Sequence, residues 1–300
     1  MIKEMMYFPL WYGKNYIFRQ HHPLQTVLFI TDYCNLSCKH CSSSGHAGTR
    51  MKPYVQIQKE LSYAYGLGSR FVDFEGGEPT LWRDGAYDLN DLYRLAHRIG
   101  YFSCTLTTNG QHPFHLYQAD QIWVSVDGFN KVHDRIRGEG TFARLDKHIR
   151  ESGRKVSINM AINRINYGSV ADTIRYAADH PCISSISLNF HTPYPETEKL
   201  MLPWDKRCHC IDKIIRMKKQ GYPVMNSISG LKIMKKKNFP KDCWVSNFIL
   251  LNGRRLSGCG GKELGLCEDC GFCMAGEMYS VLRLRPDTIL AAMKLRMKRR

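Results

Sequence analysis

The sequence predicts an α/β protein built on a parallel sheet, followed by a small cysteine-rich C-terminal subdomain. Three observations support this prediction. Short apolar runs alternate with amphipathic stretches as far as residue 222, several runs end in small or polar residues, and the alternation stops where cysteine and glycine become frequent. Strand–helix alternation indicates βαβ units. The pattern alone leaves both a doubly wound sheet and a partial or full barrel open.

Six strands are expected, because six runs are rich in β-branched and aromatic residues. They cover 26–30, 70–74, 102–107, 121–126, 156–162 and 184–189. Helices are expected between them at 54–67, 86–99, 142–152, 168–180 and 205–220, and the connection 110–120 is less clearly helical. The strands look nearly continuously apolar, which predicts that helices cover both of their faces.

The chain is therefore divided into an N-terminal extension at 1–24, an α/β core at 25–222 and a C-terminal subdomain at 223–300. Aromatic and basic residues dominate the extension, and packing of its rings on the core is favoured over contact with an anionic membrane surface. The subdomain contains a basic run at 232–241, a cysteine-rich stretch at 243–273 and a helical, basic end at 277–300.

Composition narrows the function classes. With 43 Lys and Arg against 27 Asp and Glu, the formal net charge of +16 indicates an anionic partner, whether nucleic acid, nucleotide, acidic peptide or phospholipid. The sequence shows no signal-peptide pattern, and its apolar stretches fall far short of the ~20 residues that span a bilayer. A cytoplasmic location is expected, with peripheral membrane contact left open. In that compartment the 12 cysteines indicate metal or redox sites rather than disulfides.

The first cysteine cluster follows the first strand directly. Cys34, Cys38 and Cys41 have the spacing C-x3-C-x2-C. Thiolates bind zinc or iron–sulfur clusters, and three of them can hold three irons of a [4Fe–4S] cube while the fourth iron stays open to another ligand. Zinc bound by the three thiolates and His40 is the structural alternative.

A second motif, Gly76-Gly77-Glu78-Pro79, closes the second strand. Together the two motifs resemble the radical S-adenosylmethionine (SAM) enzyme superfamily, whose signature is a C-x3-C-x2-C loop followed by a GGEP motif. The resemblance implies a partial (β/α)6 TIM-like barrel in which the backbone of 76–79 meets the amino group of SAM. The glycines permit close backbone approach, and Glu78 offers an anionic acceptor.

Further strand ends resemble family positions that face SAM or substrate, although each also has an ordinary turn or strand-end interpretation. The resemblance implies SAM contacts from Thr108, Asn109, Ser125, Asp127 and Asn159, with Asn163 as a further candidate. Asn189 and His191 follow the sixth strand and are expected near substrate, and for His191 a purely structural role is as good an interpretation.

The resemblance also implies the chemistry. SAM would chelate the open iron through its amino and carboxylate groups. A flavodoxin- or ferredoxin-type donor would supply one electron, which splits SAM into methionine and a 5′-deoxyadenosyl radical. That radical would take a hydrogen atom from the substrate or add to it. No catalytic acid or base is nominated from the sequence.

The second cysteine cluster lies in the C-terminal subdomain. Cys243 and Cys259 flank a hairpin whose turn is Asn252-Gly253. Cys267, Cys270 and Cys273 follow, and the pattern resembles the SPASM/Twitch extensions of radical SAM enzymes. It implies one auxiliary [4Fe–4S] cluster held by Cys243, Cys259 and two of the last three cysteines. A four-thiolate zinc ribbon is the alternative. The remaining cysteines are expected to be structural: Cys104, Cys182, Cys208 and Cys210.

The substrate stays open between peptide maturation and lipid or isoprenoid modification, and the charge suits an anionic substrate. Cyclisation of the molybdenum-cofactor type is disfavoured, since no Gly-Gly tail ends the sequence. The alternative from another class is a zinc-stabilised basic nucleic-acid-binding protein. That alternative leaves the ordered GGEP-like and strand-end motifs unexplained.

Overall fold

A computed structural model describes residues 2–41 and 48–297. Its eight strands are β1 Gln25–Thr31, β2 Phe71–Gly76, β3 Ser103–Thr108, β4 Gln121–Ser125, β5 Val156–Ile162, β6 Ile183–Phe190, β7 Ser246–Ile249 and β8 Arg255–Leu256. The described helices are α1 Ile2–Tyr12, α2 Tyr54–Gly66, α3 Leu89–Ile99, α4 Lys131–Arg137, α5 Thr141–Glu151, α6 Val170–Asp179, α7 Trp204–Lys219, α8 Ile228–Ile233, α9 Gly260–Glu263, α10 Met274–Leu282 and α11 Pro286–Met297.

The strand order distinguishes a barrel from a doubly wound sheet. The order is β6-β5-β4-β3-β2-β1-β7-β8, and every neighbouring pair is parallel except the β7–β8 hairpin. A doubly wound sheet reverses its strand order at a switch point, whereas here the chain adds strands in one direction from β1 to β6. Because β6 and β8 end the sheet without pairing to each other, the barrel is partial. The predicted partial (β/α)6 barrel is confirmed.

β1 and β6 are buried along most of their length, as expected, but the two faces of β5 differ. In β5 buried and half-buried residues alternate along the whole strand. Ile158 and Met160 are fully buried, while Ser157 and Asn159 are half-buried. A singly wound sheet carries its helices on one face only, so the other face lines the lumen. That lumen is polar along β5, which is why the apolar runs are interrupted at every second residue.

The cysteine-rich segment extends the sheet. β7 pairs in parallel with β1, from Gln25 opposite Ser246 to Leu28 opposite Ile249, and β8 returns antiparallel. The predicted hairpin turn is present, with Gly253 at a φ of +82° that favours glycine. The C-terminal segment therefore shares the barrel sheet instead of forming a separate layer. A short helix that the sequence did not predict, α4, follows β4.

The N-terminal aromatic residues pack against the core and the C-terminal segment, as expected. Trp11 is 7% exposed and stacks on Trp244 with ring centroids 5.7 Å apart. The hydroxyl of Tyr12 donates to the carbonyl of Leu282 over 2.9 Å. Phe18 remains 72% exposed.

α11 extends to Met297, and residues 298–300 of the basic end lie outside the described part of the chain. Within the described ranges, no helix has the length and apolar character needed to cross a bilayer.

A buried ion pair fixes the segment that returns from the cysteine loop. Lys52 is 2% exposed, and its Nζ donates to Glu60 of α2 over 2.6 Å and to the carbonyl of Leu250 over 2.8 Å. Breaking such a pair by removing one partner costs about 3–5 kcal/mol, because it leaves a buried charge uncompensated. The pair therefore holds the start of α2 against the end of β7, beside the cysteine loop.

Candidate functional site

The cysteine loop extends from the carboxyl end of β1. Cys38 is buried, Cys34 and Cys41 are half-buried, and the thiols are close enough to influence one another's ionisation. Burial raises the pKa of Cys34, and burial raises that of Cys38 to about 11. A thiolate here needs nearby positive charge, because burial disfavours the charged form.

Two side chains direct hydrogen-bond donors at these sulfurs. Asn109 Nδ2 lies 3.8 Å from Cys34 Sγ, and Arg137 Nη1 lies 4.0 Å from Cys38 Sγ. Asn109 Nδ2 also donates to the side-chain oxygen of Asn35 over 2.8 Å, which fixes its orientation toward the loop. Donors around ligand sulfurs are typical of iron–sulfur sites, where they tune the reduction potential. The donor set of the loop therefore fits a cluster held by three thiolates.

The two glycines of the GGEP-like motif are required by backbone packing. A Cβ at Gly76, whose φ is +152°, would overlap the carbonyl oxygen of Thr31, and one at Gly77 would overlap that of Tyr33. The amides of Gly77 and Glu78 donate to these same carbonyls over 2.9 and 2.8 Å. The sequence predicted close approach to a ligand, and the structure shows close approach to the residues that lead into the cysteine loop.

Glu78 joins the ends of β2 and β3 through hydrogen bonds to its carboxylate. It is 1% exposed. One carboxylate oxygen accepts hydrogen bonds from both the amide and the hydroxyl of Thr80 and from the hydroxyl of Thr108, and the other accepts from the amide of Asn109 over 2.7 Å. Pro79 opens the buried turn Pro79–Leu81. Glu78 therefore positions Thr108 and Asn109, a role that the sequence did not indicate.

The carboxylate of Asp127 likewise joins several elements, and the residue is fully buried. Its carboxylate accepts from Arg137 Nε over 2.6 Å and from the amide of Ala161 over 2.8 Å, and it lies 3.4 Å from His40 Nε2. Burial alone would raise the pKa of Asp127, but Arg137, His40 and His133 outweigh it and lower the pKa to about 2. Asp127 is therefore ionised, and its carboxylate contacts the cysteine loop through the side chain of His40.

Ser125, Asn159 and Asn189 lie on successive strands at the same edge of the sheet. Ser125 pairs in register with Asn159. Asn189 Nδ2 donates to Asn159 Oδ1 over 2.8 Å, and Asn189 Oδ1 accepts from the amide of Cys273 over 2.9 Å. This chain links the predicted SAM positions to the second cysteine cluster.

The other two candidates, Asn163 and His191, make contacts with neighbouring loop residues that give each a structural role. Asn163 is fully buried and accepts from the amide of Ile165 over 2.8 Å. His191 is buried, and its Nε2 lies 3.1 Å from both the carbonyl and the hydroxyl of Thr197. Both residues stabilise the loops that follow β5 and β6.

The lumen contains two carboxyl groups that the sequence analysis missed. Asp73 and Glu75 alternate along β2 with the fully buried Val72 and Phe74, and Thr107 of β3 donates to Asp73 over 3.2 Å. Burial raises the pKa of both carboxyls, and for Asp73 the neighbouring Glu75 adds to the effect. Their alternation with apolar residues was a visible signal.

The five cysteines of the second cluster differ in their surroundings. Burial is the main cause that raises the pKa of Cys243 to about 12, and the nearby thiols add to the effect: Cys259, Cys270 and Cys267. Cys273 is 1% exposed and immediately precedes α10. Burial raises its pKa to about 12, although the nearby Arg207 acts in the opposite direction. Cys273 therefore belongs to the packed core next to Cys210 of α7.

This cysteine loop is attached to the end of β6. The amide of Phe190 donates to the carbonyl of Gly271 over 2.8 Å, and the amide of Gly271 donates to the hydroxyl of Thr192 over 3.0 Å. Arg207 Nη2 donates to the carbonyl of Cys270 over 2.7 Å, and its guanidinium packs over the ring of Phe190. A Cβ at Gly271 would overlap the carbonyl of Phe190.

A scan against family models matches residues 28–177 to the radical SAM superfamily. The match covers half of the chain, and the chain belongs to this superfamily. It is a radical SAM enzyme, and enzymes of this family bind a [4Fe–4S] cluster and SAM.

Curated relatives match about half of this chain. An AdoMet-dependent heme synthase of Oleidesulfovibrio alaskensis is 30% identical over 46% of this chain and 38% of its own length. A probable GTP 3′,8-cyclase of Pyrococcus horikoshii is 28% identical over 50% of this chain and 51% of its own length. The chain thus matches about half, or less, of the length of these relatives.

Solved structures share the fold across more of the chain. SuiB of Streptococcus suis, bound to its precursor peptide SuiA, has a TM-score of 0.64 at 18% identity, covering 87% of this chain and 66% of SuiB. The structure of anSMEcpe with AdoMet and a peptide has a TM-score of 0.59 at 15% identity, covering 79% and 74%. At these identities the likeness concerns the fold alone.

We predict that Gly271→Ala weakens attachment of the second cysteine loop. Because the added methyl would overlap backbone, the free energy of unfolding should fall by about 2–3 kcal/mol, measured by urea denaturation of the full chain. Gly260→Ala is the matched control, since a Cβ there meets nothing within 4 Å. Equal denaturation midpoints for the two variants would contradict the prediction.

Proposed function

We propose that Cys34, Cys38 and Cys41 bind the [4Fe–4S] cluster at which SAM is cleaved. The observation that supports this assignment is the convergence of three thiols on one loop with the side-chain donors of Asn109 and Arg137 directed at two of the sulfurs. When bound, the cluster and SAM supply one-electron cleavage of the sulfonium, which yields a 5′-deoxyadenosyl radical. A flavodoxin- or ferredoxin-type partner is the proposed electron donor.

The residues around this loop orient SAM. The amides of Gly77 and Glu78 already donate to Thr31 and Tyr33, so the carbonyls of 76–79 are the proposed acceptors for the amino group of SAM. Ser125 at the end of β4 pairs with Asn159 in the middle of β5, and both are proposed contacts for the carboxylate or ribose of SAM. Glu78 and Asp127 act as positioning residues, because the protein itself occupies their oxygens.

We further propose that Cys243, Cys259, Cys267 and Cys270 hold an auxiliary [4Fe–4S] cluster. The latter three thiols all influence the ionisation of Cys243, whereas Cys273 is 1% exposed and belongs to the hydrophobic core that also contains Cys210. Among the described residues no three of these sulfurs lie within 4.8 Å of one another. Zinc bonds of ~2.3 Å would bring them to about 3.8 Å, while a cube binds each thiolate on a different iron and keeps them farther apart.

A peptide is the substrate class that we propose. The lumen is lined by hydroxyl, amide and carboxyl side chains, including Asp73, Glu75, Ser157 and Asn159. That surface suits the hydrogen bonds of a peptide better than an apolar lipid chain. SuiB, which shares the fold, has been crystallised with its precursor peptide.

The distribution of charge on the protein suggests which part of such a peptide contacts the lumen and which part contacts the exterior. The lumen of the described structure presents the carboxyls of Asp73 and Glu75, while Lys232, Lys236 and Lys237 are exposed on the exterior. We therefore propose that the reacting segment carries hydrogen-bond donors and that an acidic flanking segment contacts the basic exterior. The expected anionic character then belongs to the part of the substrate that recruits it.

Cys38→Ala is expected to abolish SAM cleavage. Loss of one of three ligands removes the cluster iron, so the variant should lose about half of the ~8 irons that two four-iron clusters supply. The measurement is 5′-deoxyadenosine formed from SAM and dithionite after anaerobic reconstitution, together with iron content. Cys182→Ala is the control, and a Cys38→Ala protein that still cleaves SAM would refute the assignment.

For the second cluster, Cys270→Ala and Cys273→Ala should differ. Cys270→Ala should lose about four irons while keeping most uncoupled SAM cleavage, because the first cluster is intact. Cys273→Ala should keep both clusters and lose only packing stability. Iron analysis and electron paramagnetic resonance of the reduced proteins test this. Equal iron loss in both variants would show that Cys273 is a ligand.

The substrate class is tested by hydrogen transfer. Deuterated peptides encoded beside the gene for this chain should deliver deuterium to 5′-deoxyadenosine, detected by mass spectrometry. Deuterated GTP is the comparison, because cyclases that act on it are among the relatives. Deuterium transfer from GTP and none from peptides would overturn the peptide proposal without affecting the assignment of Cys34, Cys38 and Cys41.

A further inference from the structure

The amino edge of the sheet, opposite the first cysteine loop, carries another group of metal-binding donors. His97 lies in the last turn of α3, Cys104 is the second residue of β3, and Asp120 immediately precedes β4. One donor atom from each of these three residues lies within 4.8 Å of the other two. Three consecutive elements of the chain thus converge at one point.

The geometry of His97 orients one ring nitrogen toward this point. Its Nδ1 lies 3.3 Å from the carbonyl of Tyr101, and a carbonyl can only accept, so Nδ1 carries a hydrogen. Its Nε2 lies 3.1 Å from Asp120 Oδ2. A histidine that donates one nitrogen to a backbone carbonyl and directs the other toward neighbouring ligands is the usual arrangement in metal sites.

Asp120 is fixed in a similar way. Its Oδ2 accepts from the amide of Cys104 over 2.7 Å, which holds the carboxylate beside the Cys104 side chain. A His97–Asp120 ion pair would account for two of the three donors. The thiol of Cys104 brings a third donor within 4.8 Å of both members of that pair.

We propose that His97, Cys104 and Asp120 bind a divalent zinc-type cation. Nitrogen, sulfur and oxygen donors together suit Zn²⁺, which tolerates three protein ligands and a water. Cys104 is fully buried, while the side chains of His97 and Asp120 are 42% and 28% exposed, so the cation enters from solvent. Binding replaces the thiol proton, which is released to water.

The position of the site indicates a structural role. The metal would join the end of α3, the start of β3 and the residue before β4. In barrels the amino edge of the sheet serves stability, whereas cofactor chemistry uses the carboxyl edge. Cys104, expected from the sequence to be a packing residue, becomes a ligand. This inference does not depend on the proposed function.

Cobalt(II) is the probe for this site, added to the full chain after anaerobic iron reconstitution so that iron occupies the cluster thiols. The native protein should bind one Co²⁺ that Zn²⁺ displaces, with a thiolate-to-cobalt charge-transfer band in the near ultraviolet. His97→Ala and Asp120→Asn should weaken binding by about 100-fold or more, since even second-shell changes cost 10–100-fold. His112→Ala and Asp179→Asn are the matched controls.

Two further readouts separate a metal site from an ion pair. Zn²⁺ should raise the melting temperature of the native protein and leave that of His97→Ala unchanged. Cys104→Ser should lose the charge-transfer band. The proposal is overturned if the iron-loaded native protein binds no Co²⁺, or if His97→Ala and Asp120→Asn both bind it as tightly as the native protein. Survival of the charge-transfer band in Cys104→Ser would also overturn it.

Discussion

The buried carboxylate of Asp127 is the constraint on which the cofactor edge of this barrel depends. An ionised group without solvent must be compensated by neighbouring donors, and here they come from α4, the cysteine loop and β5. Arg137 Nε lies at 2.6 Å, His40 Nε2 at 3.4 Å and the amide of Ala161 at 2.8 Å. Since an unpaired buried charge costs about 3–5 kcal/mol, the loop that carries Cys38 is held in one arrangement relative to β4 and β5.

The same edge connects the two cysteine clusters through hydrogen bonds and backbone contacts. Asn159 accepts from Asn189, Asn189 accepts from the amide of Cys273, and Gly271 lies directly against Phe190. A displacement of the second cluster loop would therefore move the end of β6 and the polar positions of β5. The proposed auxiliary cluster would therefore affect the geometry of the lumen.

Charge is divided between the inside and the outside of the molecule. The net charge of +16 is a property of the whole chain, but the lumen carries Asp73 and Glu75, and burial raises the pKa of both. Composition alone therefore indicated an anionic partner and gave no view of the carboxyl groups in the lumen. A singly wound sheet explains the difference, because it hides every second strand residue from the exterior.

The sequence by itself determined the family, the six core strands and the spacing of both cysteine clusters, because these depend on local periodicity and on motifs only a few residues long. Through its resemblance to that family, it also indicated which strand ends would carry the cofactor residues. Tertiary structure alone decided the hydrogen-bonding roles of Glu78 and Asp127, the contact of Cys273 with Asn189 and the convergence of His97, Cys104 and Asp120. Each of these depends on contacts between residues distant in sequence, such as Glu78 with Asn109 or Cys273 with Asn189, whose positions are set by strand order and helix packing.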